Sequence, residues 1–480
     1  MKDFKKPRYV LILVACIFTA VILLISFRVI SYGFIPSDDA MRHVAKVISG
    51  KDWAEVLILR PDITMDSHIG WYKILDLIYK TTGCDKDRLI VFSVVSLFIF
   101  FCMIPLFFLE RSEAWLISVL IVSVASSPAL VRIFSGRPYI FTMAVVVLLG
   151  FIWPRFKNKP IPWGSVITLT ILIALATWIH SLWYMFALPV LCFFLAKEWR
   201  AGFVVAICTL LGVLIGMMIT GQPIQFFQQT LGHSFHSFGG HTLSRQLVDE
   251  LQPFGGEIIM VIVVMAILGW RAIRKEWNVQ AIMTPMFILA LTSWTLGFLV
   301  ARIWTDWGIP ALLVWMTLEF EEYLKKSMDS LSFRRVWLAA TVACVLFLSI
   351  SSDNNSRWTK NIPRQYLSVD NPQHKEWLPE KGGIFYNSHM SLFYETFYAN
   401  PHVDWHYILG FEPSMMPQYD LVVYRKIQFS NSSLPAYAWV KKMRPQDRLV
   451  LKCATVPPIK ELLWYQAIPN TWIGRLPSPT

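Results

Sequence analysis

Residues 2–30 read KDFKKPRYVLILVACIFTAVILLISFRVI: four basic side chains (Lys2, Lys5, Lys6, Arg8), then an apolar run from 9 to 30 broken by a single charge, Arg28. A helix that crosses the hydrocarbon of a bilayer needs about 20 such residues. A secretory signal core is shorter and ends in a small-residue cleavage site, which this run lacks. The segment is therefore expected to persist as a membrane anchor.

The rest of the chain repeats the pattern. Of 480 residues, 55% are AVILMFWYC and only 16% are charged, with a mean hydropathy of +0.48. Soluble domains carry roughly 25% charged residues, so the apolar excess has to be buried in lipid. An aromatic content of 15% excludes disorder and collagen-like repeats, and seven Cys are too few for a disulfide scaffold. Five of these (Cys16, Cys102, Cys192, Cys208, Cys344) lie in apolar runs. Cys84 and Cys453 lie in polar segments, where one disulfide is open, but no CxxC spacing supplies a redox or zinc motif. The net charge of +12 is scattered over short loops and forms no stripe of the kind that follows a phosphate backbone. It reads as membrane topology and attraction to lipid headgroups, not as nucleic-acid binding.

Eleven apolar runs are candidate spans: 9–30, 89–109, 114–132, 138–153, 163–179, 182–196, 201–219, 257–270, 279–300, 303–318 and 336–350. With the N-terminus inside, short inner loops hold 17 Lys and Arg and short outer ones 4, the asymmetry of a positive-inside protein. An odd number of spans puts the tail outside, and all ten His then fall on the outer side or at its boundary. The expected fold is an α-helical multi-pass membrane domain over 1–350, followed by a small mixed α/β domain over 351–480. In that tail, 383–386, 420–424 and 448–451 read as extended apolar runs among Pro-rich turns. Three outer segments are large enough to build a working face: 31–88, a His-rich loop over 220–256, and the tail.

The first outer segment opens Ser37-Asp38-Asp39-Ala40-Met41-Arg42-His43. Pro36 and Ser37 signal a helix start, so Asp38 and Asp39 fall in a first turn with Arg42 and His43 one turn on. Capping alone accounts for two acids there. The competing account is position: a carboxylate pair at the outer interface is where a base is needed if the substrate is a lipid whose phosphate cannot leave the headgroup layer.

From Ser37 the chain goes on through Ser49-Gly50-Lys51-Asp52-Trp53 to Asp66-Ser67-His68 and Trp71-Tyr72. This stretch of about 40 residues resembles the first periplasmic loop of GT-C glycosyltransferases, above all the aminoarabinose transferase and protein O-mannosyltransferase group, whose general layout resembles the whole chain. The resemblance implies Asp38 as the catalytic acid residue, with Asp39 where many relatives have Glu. It also implies Arg42, His43, Asp66 and His68 as substrate-facing residues. The metal is left open, with a divalent cation (Mg or Mn) on Asp38 and His68 as the candidate. Two departures stand out. Arg137 in Phe134-Ser135-Gly136-Arg137-Pro138-Tyr139 occupies the loop where the family often has a second acid, so Arg137 is a candidate phosphate ligand. His68 is followed by Ile69-Gly70 instead of Pro-Pro.

Arg302 lies between two apolar runs, where an arginine is costly unless paired. It is explained either by an ion pair with Asp306, one turn away, or, as in the resembling enzymes, by a grip on a donor phosphate. His233, His236 and His241 read as a flexible substrate-covering loop, lacking the Cys or carboxylate that would complete a metal site. His180 between Trp178 and Trp183 reads as an interfacial hydrogen-bonding residue, and the tail phrase Asn400-Pro401-His402-Val403-Asp404-Trp405-His406 carries no assigned role.

The expected activity is transfer of a sugar from a polyprenyl-phosphate donor to an extracytoplasmic lipid, glycan or protein acceptor, inverting, with Asp38 as base. The expected place is a bacterial inner membrane, N-terminus cytoplasmic and tail periplasmic. No nucleotide-binding Gly-rich motif competes. The alternatives are an O-antigen ligase or polymerase type using the 220–256 loop with Arg245, a lipid-linked-sugar transporter, and a noncatalytic assembly subunit.

Overall fold

A computed structural model describes residues 6–157, 160–239, 247–362, 364–430 and 432–477, and 65% of the chain is helical. The longer helices in chain order are α1 (Lys6–Ser31), α2 (Asp39–Ser49), α3 (Ile69–Thr82), α4 (Lys86–Met103), α5 (Glu113–Ala125), α6 (Ser127–Ile133), α7 (Tyr139–Ile152), α8 (Trp163–Ile179), α9 (Ala187–Leu195), α10 (Trp199–Ile219), α11 (Pro223–Gly239), α12 (Ile258–Ile273), α13 (Pro285–Gly297), α14 (Ile309–Ser327), α15 (Arg334–Ser351), α16 (Met390–Ala399) and α17 (Gln418–Phe429). Five strands follow the helical region: β1 (Ile384–Asn387), β2 (His406–Tyr407), β3 (Arg448–Lys452), β4 (Leu463–Ile468) and β5 (Thr471–Arg475). The chain divides into two compact units. One comprises Met1–Phe34, Phe92–Pro223 and Glu250–Thr359, the other Ile35–Val91, Ile224–Asp249 and Lys360–Thr480.

The first unit turns its large apolar side chains outward. On α10, Phe203, Ile207, Leu210, Leu214 and Met218 are exposed, whereas Ala201, Gly202, Val205, Cys208, Gly212 and Gly216 are buried. Small residues inside and large ones outside invert the pattern of a soluble helix and suit lipid, where close backbone approach drives helix association. Gly212 and Gly216, four apart, let α10 lie against α8: a Cβ on Gly216 would stand 2.5 Å from the Ala174 carbonyl oxygen, and one on Gly212 2.8 Å from Ile173. α1 buries Val10, Val14, Phe18, Val21, Ile25 and Val29, a helical stripe, while Leu11, Ile12, Leu23, Leu24 and Phe27 are exposed. α1 packs on α15.

All eleven apolar runs are largely helical, but eleven spans do not follow from them. Among the described residues, five helices are long and apolar enough to cross a membrane: Tyr9–Ser31, Lys86–Phe107, Tyr139–Phe156, Trp199–Ile219 and Arg334–Ser351. The run 114–132 makes a sixth only if α5 and α6 count as one, because they bend by 117°. Pro128 has no N–H to donate back to a continuing α5 and suits the first turn of a new helix, and Ser126, in extended conformation, caps that helix by accepting the Ala129 N–H at 3.2 Å. Four other apolar helices (Trp163–Ile179, Trp183–Leu195, Ile258–Ile273, Pro285–Gly297) are shorter. The run 279–300, for example, is cut where Thr284 accepts the Phe287 N–H ahead of Pro285. The run 303–318 continues into α14, whose last turns carry Glu319, Glu321, Glu322, Lys325 and Lys326.

Charged loops of this unit are tied together. The Arg335 guanidinium donates to both oxygens of Glu113, at 2.7 and 3.0 Å, with both side chains buried. Glu321 accepts the backbone N–H of Glu110 at 2.8 Å, Arg271 pairs with Glu319 at 2.5 Å, and Lys326 bridges Glu276 and Glu322. These loops belong to the set that charge counting groups on one side.

The second unit contains the sheet, in the order β2-β1-β3-β5-β4, with β1 parallel to β2 and β3, and β5 antiparallel to β3 and β4. Residues 384–387 and 448–452 are strands as expected, but 420–424 lies inside α17. Leu421, Tyr424 and Ile427 are buried at a spacing of three, so the run is one face of a helix packed in the core with Tyr386, Trp439, Leu449 and Leu451. Likewise much of 220–256 is not a flexible loop, since 223–239 is α11. Cys84 and Cys453 are free thiols.

Leucine at Gly216 is expected to destabilise the protein by about 1–3 kcal/mol through overpacking against α8, read as a lowered unfolding midpoint in detergent. Leucine at the outward Ile215 is expected to change stability by less than about 0.5 kcal/mol.

Candidate functional site

In the first unit, three arginines converge on two carboxylates. Arg132, at the end of α6, donates to both oxygens of Asp306, at 2.7 and 3.0 Å, and to Glu250 at 2.8 Å. Arg137 pairs with Glu250. Arg302 donates through Nε to Asp306 at 3.1 Å, lies 3.7 Å from Glu250, and has Nη2 3.2 Å from His180 Nε2. Tyr139 supports the group from below, its ring 3.9 Å from the Arg132 guanidinium carbon and its hydroxyl donating to the Arg132 carbonyl at 3.0 Å. Burial would raise the Glu250 carboxyl, but Arg132, Arg137 and Arg302 outweigh it and hold it well below the usual carboxylate range.

Asp306 sits in a π-helical turn, Trp304–Gly308. Such turns depend on local packing and recur at functional sites. Here Gly308 permits it, since a Cβ there would lie 2.3 Å from the Trp304 ring. Trp304 donates its indole N–H to Glu257 at 2.9 Å, and Glu257 also accepts from Ser126 at 2.6 Å. Beside Trp304 opens an apolar cleft of about 200 Å³, lined from α12 and α13 by Met260, Val264, Leu268, Phe287 and Trp294. Of the three arginine side chains Arg302 is the most exposed, at 24% against 11% and 13%. It is therefore the one that presents N–H donors at the rim.

The acidic motif lies in the second unit. Asp38 is the N-cap of α2, accepting the Ala40 N–H at 3.1 Å, and Asp39 is its first helical residue. Both thus stand one position earlier than the expected pair of first-turn acids. Asp39 pairs with Arg42 at 2.7 Å. The Arg42 guanidinium also donates to the Tyr72 hydroxyl at 3.0 Å and lies 3.8 Å from the Phe411 ring centre. His43 Nδ1 is 3.0 Å from the same hydroxyl, and its ring meets His68 at 5.0 Å. Burial would lower the Arg42 pKa, but Asp39 and Tyr72 reverse it and keep the group charged. Burial raises the Tyr72 phenol, with Asp66 adding to it, and burial raises the Asp66 carboxyl.

The structure thus brings Asp39, Arg42, His43, His68 and Tyr72 into one network, with Asp66 accepting the His68 N–H at 3.0 Å and Ser67 2.8 Å from His68 Nδ1. Arg42 and His43, expected to face substrate, are buried at 2% and 1% and brace Tyr72. Tyr72, Arg132 and Glu250 were not picked out as site residues from sequence. Glu250 is the acid that pairs with Arg137. The side chains of His233 and His236, and residues His241 and Arg245, lie outside the described residues. Among the described residues no group of three His, Cys, Asp or Glu side chains is placed to hold a metal ion. Asp38 and His68 are accordingly not part of any such three-donor group. No protein-family model matches the chain, and comparison with curated proteins returns no match.

The motif's two acids are predicted to separate in a stability assay. Asn caps a helix about as well as Asp, so Asp38→Asn should leave the unfolding midpoint of the purified protein near wild type. Asp39→Asn leaves a buried guanidinium without its carboxylate and should cost up to about 3–5 kcal/mol, read as a clear fall in the same midpoint.

Proposed function

We propose that the protein is a membrane glycosyltransferase of the GT-C type, taking a sugar from a polyprenyl-phosphate donor and passing it to a hydroxyl on the outer face of a bacterial inner membrane. The observation that carries this reading is the presence, within one unit, of a wholly apolar cleft and a cluster of three arginines, one of which, Arg302, stands two residues before the cleft's Trp304 wall. That combination suits a molecule with an apolar chain and an anionic head. Guanidinium geometry matches phosphate oxygens, and donors fixed beforehand by carboxylates cost no reorganisation when charge develops.

The chemistry follows from that assignment. The acceptor oxygen forms a bond to the anomeric carbon as the bond from that carbon to the lipid phosphate oxygen breaks, inverting the configuration. The phosphate leaves with the electron pair, and its charge is met by Arg302, with Arg132 and Arg137 behind it. The hydroxyl proton goes to a base, the role that the resemblance gives to Asp38, the N-cap of α2. A phosphate is a good leaving group once its charge is matched, so no general acid is needed. The loop charges described above support an N-terminus on the cytoplasmic side, with the second unit then in the periplasm.

In a purified, reconstituted protein supplied with polyprenyl-phosphate sugars, Asp38→Asn is predicted to lower turnover by about 10²- to 10⁴-fold with a wild-type unfolding midpoint. Arg302→Gln is predicted to raise the donor KM as well as lower kcat. Full turnover in the Asp38→Asn protein would contradict the reading.

A further inference from the structure

The second unit holds a cavity of about 420 Å³, apart from the acidic motif. Its walls are Arg364, Glu395 from α16, Lys452 at the end of β3, and the β4–β5 turn with Pro469, Asn470 and Thr471. The volume lies within the roughly 300–1,000 Å³ of small-ligand sites, room for a short saccharide. Unlike the clefts between the apolar helices, it is lined by charges and hydrogen-bonding groups.

The cavity's charges are partly desolvated and mutually arranged. The buried Glu395 pairs with Arg364 at 3.3 Å. Lys452 donates to Ser391 at 2.7 Å. Burial pushes the Glu395 carboxyl up in spite of Lys452 and Arg364, and pushes the Lys452 ammonium down in spite of Glu395. The cavity thus sets two basic side chains, Arg364 and Lys452, against the one carboxyl of Glu395. Ser37 links the cavity to the motif: its hydroxyl donates to Glu395 at 3.4 Å and accepts from Arg364, and the next residue is Asp38.

We propose that this cavity binds the anionic, hydroxyl-bearing part of the acceptor, a saccharide carrying a carboxylate or a phosphate, and that Ser37 couples its occupancy to Asp38. Binding itself follows from the cavity, whereas its role as an acceptor site rests on the transferase reading. Arg364 and Lys452 take the anion, charge-assisted contacts that each contribute strongly when partly buried. Glu395, Asn470 and Thr471 meet the hydroxyls. Specificity then falls on sugars with an acidic group, because a neutral sugar leaves the two cations unanswered.

The test is saturable binding of glucuronate, glucose 6-phosphate and glucose to the purified full-length protein, by isothermal calorimetry in detergent. Glucuronate or glucose 6-phosphate should saturate and glucose should not, the preferred anion telling carboxylate from phosphate. Lys452→Gln should weaken the binding at least about tenfold, the loss of one charged hydrogen bond. Arg364→Gln, at a more exposed position, should do the same without affecting folding. Asp38→Asn should bind like wild type. No saturation by either anion, equal binding of glucose, or unchanged binding in folded Lys452→Gln and Arg364→Gln proteins would overturn the proposal. Loss of transfer in Asp38→Asn is read separately, so a failed cavity and a failed transferase assignment give different results.

Discussion

The Asp306 carboxylate is the fixed point of the first unit. Arg132 grips it with two nitrogens and Arg302 with one, while Glu250 gathers Arg132 and Arg137. Without these two acids, three guanidiniums would repel one another at the ends of apolar helices, where an unpaired charge is costly. With them, the arginines are held close and preset. Two carboxylates thus hold three guanidiniums together, every one of them paired. The π-turn that carries Asp306 exists because Gly308 leaves room for Trp304, so the geometry of the phosphate-binding candidate rests on one glycine.

The acidic motif obeys a second constraint. Asp38 and Asp39 are adjacent yet have different duties: one caps a helix, the other neutralises a buried arginine that braces Tyr72. Capping and catalysis are compatible, because both need the carboxylate ionised. Adjacent acids also divide the load, since Asp39 absorbs the Arg42 charge and Asp38 keeps its place at the helix start.

The sequence made the membrane class legible because apolar excess survives any tertiary detail: α1 and α10 are long, carry their few charges near their ends, and lie where their runs are. It does not by itself settle the number of spans, because hydropathy windows do not register Pro128 or Thr284-Pro285, where local caps end helices. The run 420–424 reads as extended because Asp420 and the four residues Leu421, Val422, Val423 and Tyr424 fit either period, and only Ile427, one turn further, exposes the helix. Gly212 and Gly216 carried a spacing signal that was passed over. The Asp306 pairing of Arg302 was legible at one turn's separation. Glu250 and Arg132 were not, since no local pattern tells which of several loop charges meet in space. Tyr72 was seen only as part of a phrase; its role depends on Arg42 and His43 approaching from another helix.

The account's central claim is that the cleft beside Trp304 and the arginines near it receive a polyprenyl phosphate. Photolabelling of the purified protein with a polyprenyl phosphate bearing a diazirine in its isoprenoid chain, followed by peptide mapping, tests it most directly. The account predicts labels on α12 and α13, suppressed by unlabelled polyprenyl phosphate and reduced in Arg302→Gln. Labels spread over all lipid-facing helices, or unaffected by competitor, would contradict it.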